Sequence, residues 1–147
     1  MNTRDVKFRA WNGKEIVSRE KLVFWNGNCY LNPTGTLNDP EQPHKPAKLD
    51  RLRGYSILEV MQYTGLHDKN GAEIYEGDIV RFKWNPIFND PSELFEWELP
   101  VEYDAVWGCF VMRIRSKTDD EVKVAVGSPV EAGQNIEVIG NLYEPRS

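Results

Sequence analysis

Residues 63 to 82 read YTGLHDKNGAEIYEGDIVRF, and the fold turns on how they are interpreted. Two turn signals, Asn70-Gly71 and Glu76-Gly77-Asp78, stand among aromatic and β-branched residues. Asparagine and glycine tolerate positive φ, so an Asn-Gly pair suits a two-residue type I′ hairpin turn. After the second signal, Ile79, Arg81 and Lys83 alternate with Val80, Phe82 and Trp84, which is the period of a half-buried strand. The stretch therefore predicts a hairpin, a corner and a strand in quick succession.

The same signals recur on both sides. Asn12-Gly13 in RAWNGKEIV and Asn26-Gly27 in VFWNGNCYL predict two successive hairpins near the start. Residues 32 to 48 carry Pro33, Pro40, Pro43 and Pro46, which predicts a long loop or linker. LDRLRG at 49 to 54 suits one helical turn, and YSILEVMQY favours a strand from Ile57 onward. Phe95, Trp97, Leu99, Val101 and Tyr103 alternate with Glu96, Glu98, Pro100, Glu102 and Asp104, which predicts one strand with an apolar and an acidic face. Pro100 argues for an edge position, where a missing N–H costs little. GCFVMRIRS and EVKVAVG flank KTDD as a further hairpin, and NIEVIGNLY supplies a closing strand. The expected fold is mainly β, α+β at most, with antiparallel hairpins curled into a small SH3-like barrel. Residues 1–31 form a hairpin arm, 32–54 a proline-rich linker and 55–147 the barrel core.

A chain of 147 residues suffices for one compact domain. Cys29 and Cys109 are the only cysteines, and the start MNTRDVKFRAW has charges where a secretory signal would be apolar, so a cytoplasmic protein with free thiols is expected. No apolar segment approaches the roughly 18 residues a membrane span needs. The net charge of −5 hides an asymmetry: residues 1–54 carry +4 and residues 55–147 carry −9. The two parts attract, within one subunit or between subunits, unless the basic segment simply faces solvent.

KFRAW near the start, MQYTGLHDKNGAEIYEGDIVRF in the middle and EVIGNLYE near the end occur in an order that resembles the YopX family of phage and prophage proteins. The resemblance implies a small cytoplasmic protein of the bacterial host cell, a β-rich barrel-like fold and a tendency to form intertwined oligomers. It brings no catalytic residues. Asn12 and His67 depart from the family's usual acid and lysine, both at or beside turns.

Three constellations carry candidate functions. Tyr63, Thr64, Asp68, Asn70, Tyr75, Glu76 and Asp78 are either a recognition hairpin offered to a partner or turn chemistry, in which carboxylates bond nearby N–H groups. Glu96, Glu98, Glu102 and Asp104 would stand about 7 Å apart on alternate positions, too far for neighbours to share a cation. Such a row holds a cation only where loops bring further oxygens, and otherwise either imitates DNA phosphates towards a host DNA-binding enzyme or protects an exposed strand edge. Arg113 and Arg115, with Lys117 and the arm residues Arg4, Lys7 and Arg9 beside Phe8 and Trp11, fit a single-stranded nucleic-acid groove, although an acidic protein disfavours that reading. His44 lacks a partner at ligand spacing. HExxH, GxSxG and CxxC are missing. The expectation is a non-enzymatic, self-associating binding module without metal or cofactor, whose partner is a phage or host macromolecule.

Overall fold

A computed structural model describes residues 5–25, 28–31, 38–39, 42–46, 58–84, 94–115, 120–127 and 136–144. These are strands and turns, with one 3-10 turn at Arg19–Lys21. The chain divides into two units, Lys7–Gln62 and Tyr63–Ser147, the latter also taking in Met1–Val6.

In the smaller unit β1 (Phe8–Trp11) pairs antiparallel with β2 (Ile16–Val17), and β3 (Leu22–Trp25) with β4 (Asn28–Leu31). Ala10, Val17, Leu22, Cys29 and Leu58 form its core, against which Phe8 and Val60 pack. The short strands β5 (Asn38–Asp39) and β6 (Gln42–Pro46) also pair. The proline-rich stretch is thus not all loop. In a two-stranded ladder each strand has a free side, where a residue without an N–H is tolerated. Asn26-Gly27 and the LDRLRG segment lie outside the described residues.

β7 (Glu59–His67) pairs with β1 through its first four residues, Trp11↔Glu59 to Phe8↔Gln62. Its later part pairs with β8 (Glu73–Tyr75) in the larger unit, at Tyr63↔Tyr75 and His67↔Glu73. Four steps on β7 thus face two on β8, a bulge that Gly65 permits with φ of 90°. The Thr64 hydroxyl donates to the Ile74 carbonyl at 2.8 Å, filling an acceptor beside the bulge.

Strand β9 (Asp78–Trp84) sits between β10 (Phe95–Pro100) and β14 (Glu137–Asn141). A second three-stranded sheet runs β11 (Glu102–Asp104), β12 (Cys109–Arg115), β13 (Glu121–Ala125). Apolar alternation places Ile74, Val80, Phe82, Val101, Phe110, Met112, Ile114, Val124, Val126 and Ile136 in one core. Backbone bonds join the sheets at corners. Gly77 donates to Val101 O and Val101 donates to Asp78 O, both at 2.8 Å; Leu142 donates to Gly77 O at 2.9 Å. The result is the expected mainly β, antiparallel fold with a curled, barrel-like sheet.

Two sequence expectations need correction. Asn-Gly does not make two-residue turns at residues 12 and 70. Asn12 instead caps the β1–β2 turn, its Oδ1 accepting from Lys14 N and Glu15 N, while Gly13 takes a φ of 93°. Asp68 and Ala72 close the β7–β8 turn, and Gly71 donates to Asp68 O with φ of 83°. That is a type I turn followed by a left-handed glycine, the three-residue alternative. Likewise, the single strand expected over residues 95–104 is split, because Val101 is drawn to Gly77 and Asp78 at the corner. β10 does lie at the edge of its sheet, as Pro100 required.

Phe82 is fully buried in the larger core. Phe82→Ala is expected to cost about 3–5 kcal/mol in urea unfolding, through lost burial and the cavity left behind.

Candidate functional site

The central block supplies bonds to the fold before it supplies any to a ligand. Asp68, 8% exposed, accepts from Asn70 N (2.8 Å) and Ala72 N (2.9 Å) through Oδ1 and from Val138 N (3.0 Å) through Oδ2. Burial raises its pKa, but the three N–H donors, led by Val138, outweigh that and hold the carboxyl below its ordinary value. Asp78 is buried and accepts from Tyr75 N at 2.8 Å, closing the corner at Glu76-Gly77. Tyr63 is buried, its ring 5.5 Å from that of Tyr75 and its hydroxyl 3.3 Å from His67 Nδ1. The Tyr75 hydroxyl donates to Glu73 Oε2 at 2.8 Å. Asn70 contributes its backbone N–H to the turn. Glu76 is half-buried beside these groups, and burial pushes its carboxyl up.

The four acidic residues are divided between two sheets. In the first, Arg81 Nη2 donates to Glu98 Oε1 at 2.8 Å, and Arg81 Nε lies 3.9 Å from Glu96. In the second, Glu102 and Asp104 meet Arg113, whose strand neighbours both of theirs and Glu121's. Nε donates to Glu102 Oε2 (2.7 Å), Nη2 to Asp104 Oδ2 (2.7 Å) and Nη1 to Glu121 Oε1 (2.6 Å). Glu121, Glu102 and Asp104 together hold the Arg113 pKa above its ordinary value.

Asp104 is 3% exposed and carries two further tasks. Its Oδ2 lies 2.9 Å from Lys123 Nζ, and its Oδ1 accepts from Val106 N (2.9 Å) and Trp107 N (2.8 Å). Lys123, the Trp107 N–H and Arg113 hold the Asp104 carboxyl well below the usual carboxylate range, against the opposing effect of burial. Gly108 donates to Asp104 O at 2.7 Å with φ of 67°, so the turn is fixed at its first residue and near its last. The turn carries Val106, 88% exposed, and Trp107, 53% exposed with Lys123 Nζ 5.5 Å from its ring centroid.

Arg113 therefore serves the fold: a phosphate would have to displace three carboxylates from it. Arg115 stands apart, mostly exposed and 3.8 Å from Glu121 Oε2. Among the described residues no group of three His, Cys, Asp or Glu side chains is placed to hold a metal, and no helix is long and apolar enough to cross a membrane. Cys29 and Cys109 are free, and burial pushes the Cys29 thiol up.

Residues 7–146 match the family described as YopX protein. The chain belongs to the YopX family. A 58-residue segment of this YopX protein is also 38% identical to part of an N(2)-citryl-N(6)-acetyl-N(6)-hydroxylysine synthase of Vibrio mimicus, covering 39% of the chain and 10% of that protein. The chain spans about a tenth of the length of this curated relative, and the synthase activity is that protein's own.

Sequence reasoning missed Val106, Trp107, Glu121 and Lys123 as parts of one cluster. Glu121 was legible in part, since the β12–β13 pairing sets Arg115 opposite Glu121, whereas Arg113↔Lys123 brings two cations together that share the Asp104 carboxylate. The arrival of Asp104 beneath them depends on the chain crossing a corner, which has no local signal.

Asp68 and Asp104 both titrate lower when folded than in the unfolded chain, where an aspartate has a pKa of about 3.9. Their bonds stabilise the fold above that value, and this is lost as pH falls through the folded-state values. Asp104→Asn is therefore expected to lower stability at neutral pH and to flatten its decline below about pH 4, measured by urea unfolding across that range. Glu76 has the opposite linkage. Its raised folded pKa gives a contribution present below the unfolded value of about 4.3 and lost as pH rises through the folded one. Glu76→Gln should raise the thermal midpoint at neutral pH and leave it nearly unchanged at about pH 4.

Proposed function

We propose that this YopX protein is a non-enzymatic, phage-type contact module that acts in the bacterial cytoplasm, associates with itself and binds a macromolecule of phage or host. The observation that carries this reading is the turn between β11 and β12. An exposed valine and tryptophan lose little conformational freedom on binding when the backbone beneath them is already fixed. Here the Asp104 carboxylate captures the N–H of both residues, and the Asp104 carbonyl captures that of Gly108. Tryptophan is a favoured anchor at protein interfaces, and exposure of two large apolar side chains on a rigid projection suits insertion into an apolar pocket. The candidate carboxylates support the same reading from another side, since Asp68, Asp78, Glu98, Glu102 and Asp104 accept bonds from the protein itself. Membership in the YopX family supports the phage-type assignment.

The test is capture from a bacterial lysate by immobilised wild-type protein and by a Val106→Ser, Trp107→Ala double variant with an unchanged circular dichroism spectrum. The wild type should enrich a macromolecule at least about tenfold over the double variant, the loss expected when a single anchor is truncated. Equal recovery by both proteins would overturn the reading.

A further inference from the structure

We propose that β13 pairs with the β13 of a second copy of this chain, antiparallel and centred on Val122. The proposal rests on the self-association reading above and adds its location and register.

β13 ends its sheet, and no described strand pairs with its outer side. Which of its backbone groups face outward follows from one bond. Val126 donates to Phe110 O at 3.0 Å, and the β12–β13 register continues from that pair through Val111↔Ala125 and Met112↔Val124. Antiparallel pairs alternate between bonded and non-bonded, so Val122 and Val124 direct their N–H and C=O groups towards β12. Glu121, Lys123 and Ala125 direct theirs outward. These outward groups are the ones a further strand would meet.

The side chains then select a register. A twofold axis at Lys123 would set two lysines opposite each other, and one at Glu121 would set two glutamates opposite each other; like charges there are unfavourable. An axis at Val122 sets Glu121 opposite the partner's Lys123, and Lys123 opposite the partner's Glu121. Both pairs join outward-facing residues, so each exchanges two backbone bonds while its side chains carry opposite charge. Glu121 can accept this second cation. Its Oε1 is taken by Arg113, whereas its Oε2 lies 3.8 Å from Arg115, beyond hydrogen-bond distance. At the axis, Val122 meets its own copy in a non-bonded pair. Val122 is 38% exposed, on the same side of the strand as buried Val124, so the contact extends an apolar face. The axis at Val122 is the one that gives opposite charges to both of its bonded pairs, and it would join two three-stranded sheets into one of six. Such an interface is isologous, each copy offering the same patch.

The non-bonded geometry gives a register-specific test. Cα atoms of such a pair stand about 4.5 Å apart, within the range a disulfide spans. In a Cys109→Ser background, Val122→Cys should form a disulfide-linked dimer under mild oxidation, whereas Asp120→Cys, whose partner would be Val124 of the other copy, should not. Val122→Lys, which puts like charges at the axis on an exposed position, should weaken association by about tenfold or more in sedimentation velocity. If the wild type associates while Val122→Cys links no better than Asp120→Cys, this interface is wrong and the self-association reading stands. Association of Val122→Lys equal to wild type would also overturn the interface alone. A wild type that stays monomeric at every concentration would overturn both.

Discussion

One carboxylate fastens the end of the larger unit to its beginning. Asp68 receives two N–H groups of its own turn and a third from Val138, seventy residues away. Lys69 adds its backbone N–H to Ile136 O and its ammonium to Glu137, so the β7–β8 turn lies along the outer side of β14. A sheet edge is normally a row of unmet donors and acceptors. Here a loop meets some of them and leaves the strand order intact. Were this carboxylate absent, the three N–H groups would lose their common acceptor. The β9–β14 pairing, with its bulge after Val138, and the Leu142–Gly77 corner hold the same strand from its other side and its end.

The same device recurs wherever the chain leaves a sheet. Asp78 closes the corner after β8 and Asp104 closes the turn after β11, both buried, both accepting backbone N–H groups. Small β-proteins have few residues to spend on long connections, and an aspartate can substitute for a missing ladder partner within two or three residues. Three carboxylates of the acidic second part of the chain, Asp68, Asp78 and Asp104, are thus turned inward onto backbone N–H groups, while Glu96, Glu98 and Glu102 stay partly exposed beside Arg81 and Arg113.

The strand content was legible because period-two alternation is a local signal. IVRFKW, CFVMRIR and EVKVA all read correctly as strands, and the turn residues between them marked the hairpins. The glycines at 13 and 71 were recognised as necessary, but their roles within the turns were not, since Asn12 and Asp68 act through side chains that compete with the two-residue geometry. The acidic row at 96–104 looked continuous because alternation persists in the letters across Val101. Only the backbone of Gly77 and Asp78 reveals the bend there. Candidate residues followed the same division. Arg113 and Arg115 are neighbours in sequence with similar surroundings in the alphabet, yet one lies among three carboxylates and the other faces solvent. The difference comes from β11, a strand placed by tertiary contacts alone.

The grip of Arg113 on its neighbours has a mechanical meaning. Its guanidinium holds Glu102 and Asp104 of β11 on one side and Glu121 of β13 on the other, with Lys123 of β13 also reaching Asp104. A slip of either flanking strand by two positions would keep its hydrogen-bonding ladder but set Val111 or Arg115 where the fork now sits. The cluster is thus a key cut for one alignment. Force applied to the end of β13 would be shared with β11 through Arg113 and Lys123, and the three strands would yield together rather than peel away in turn.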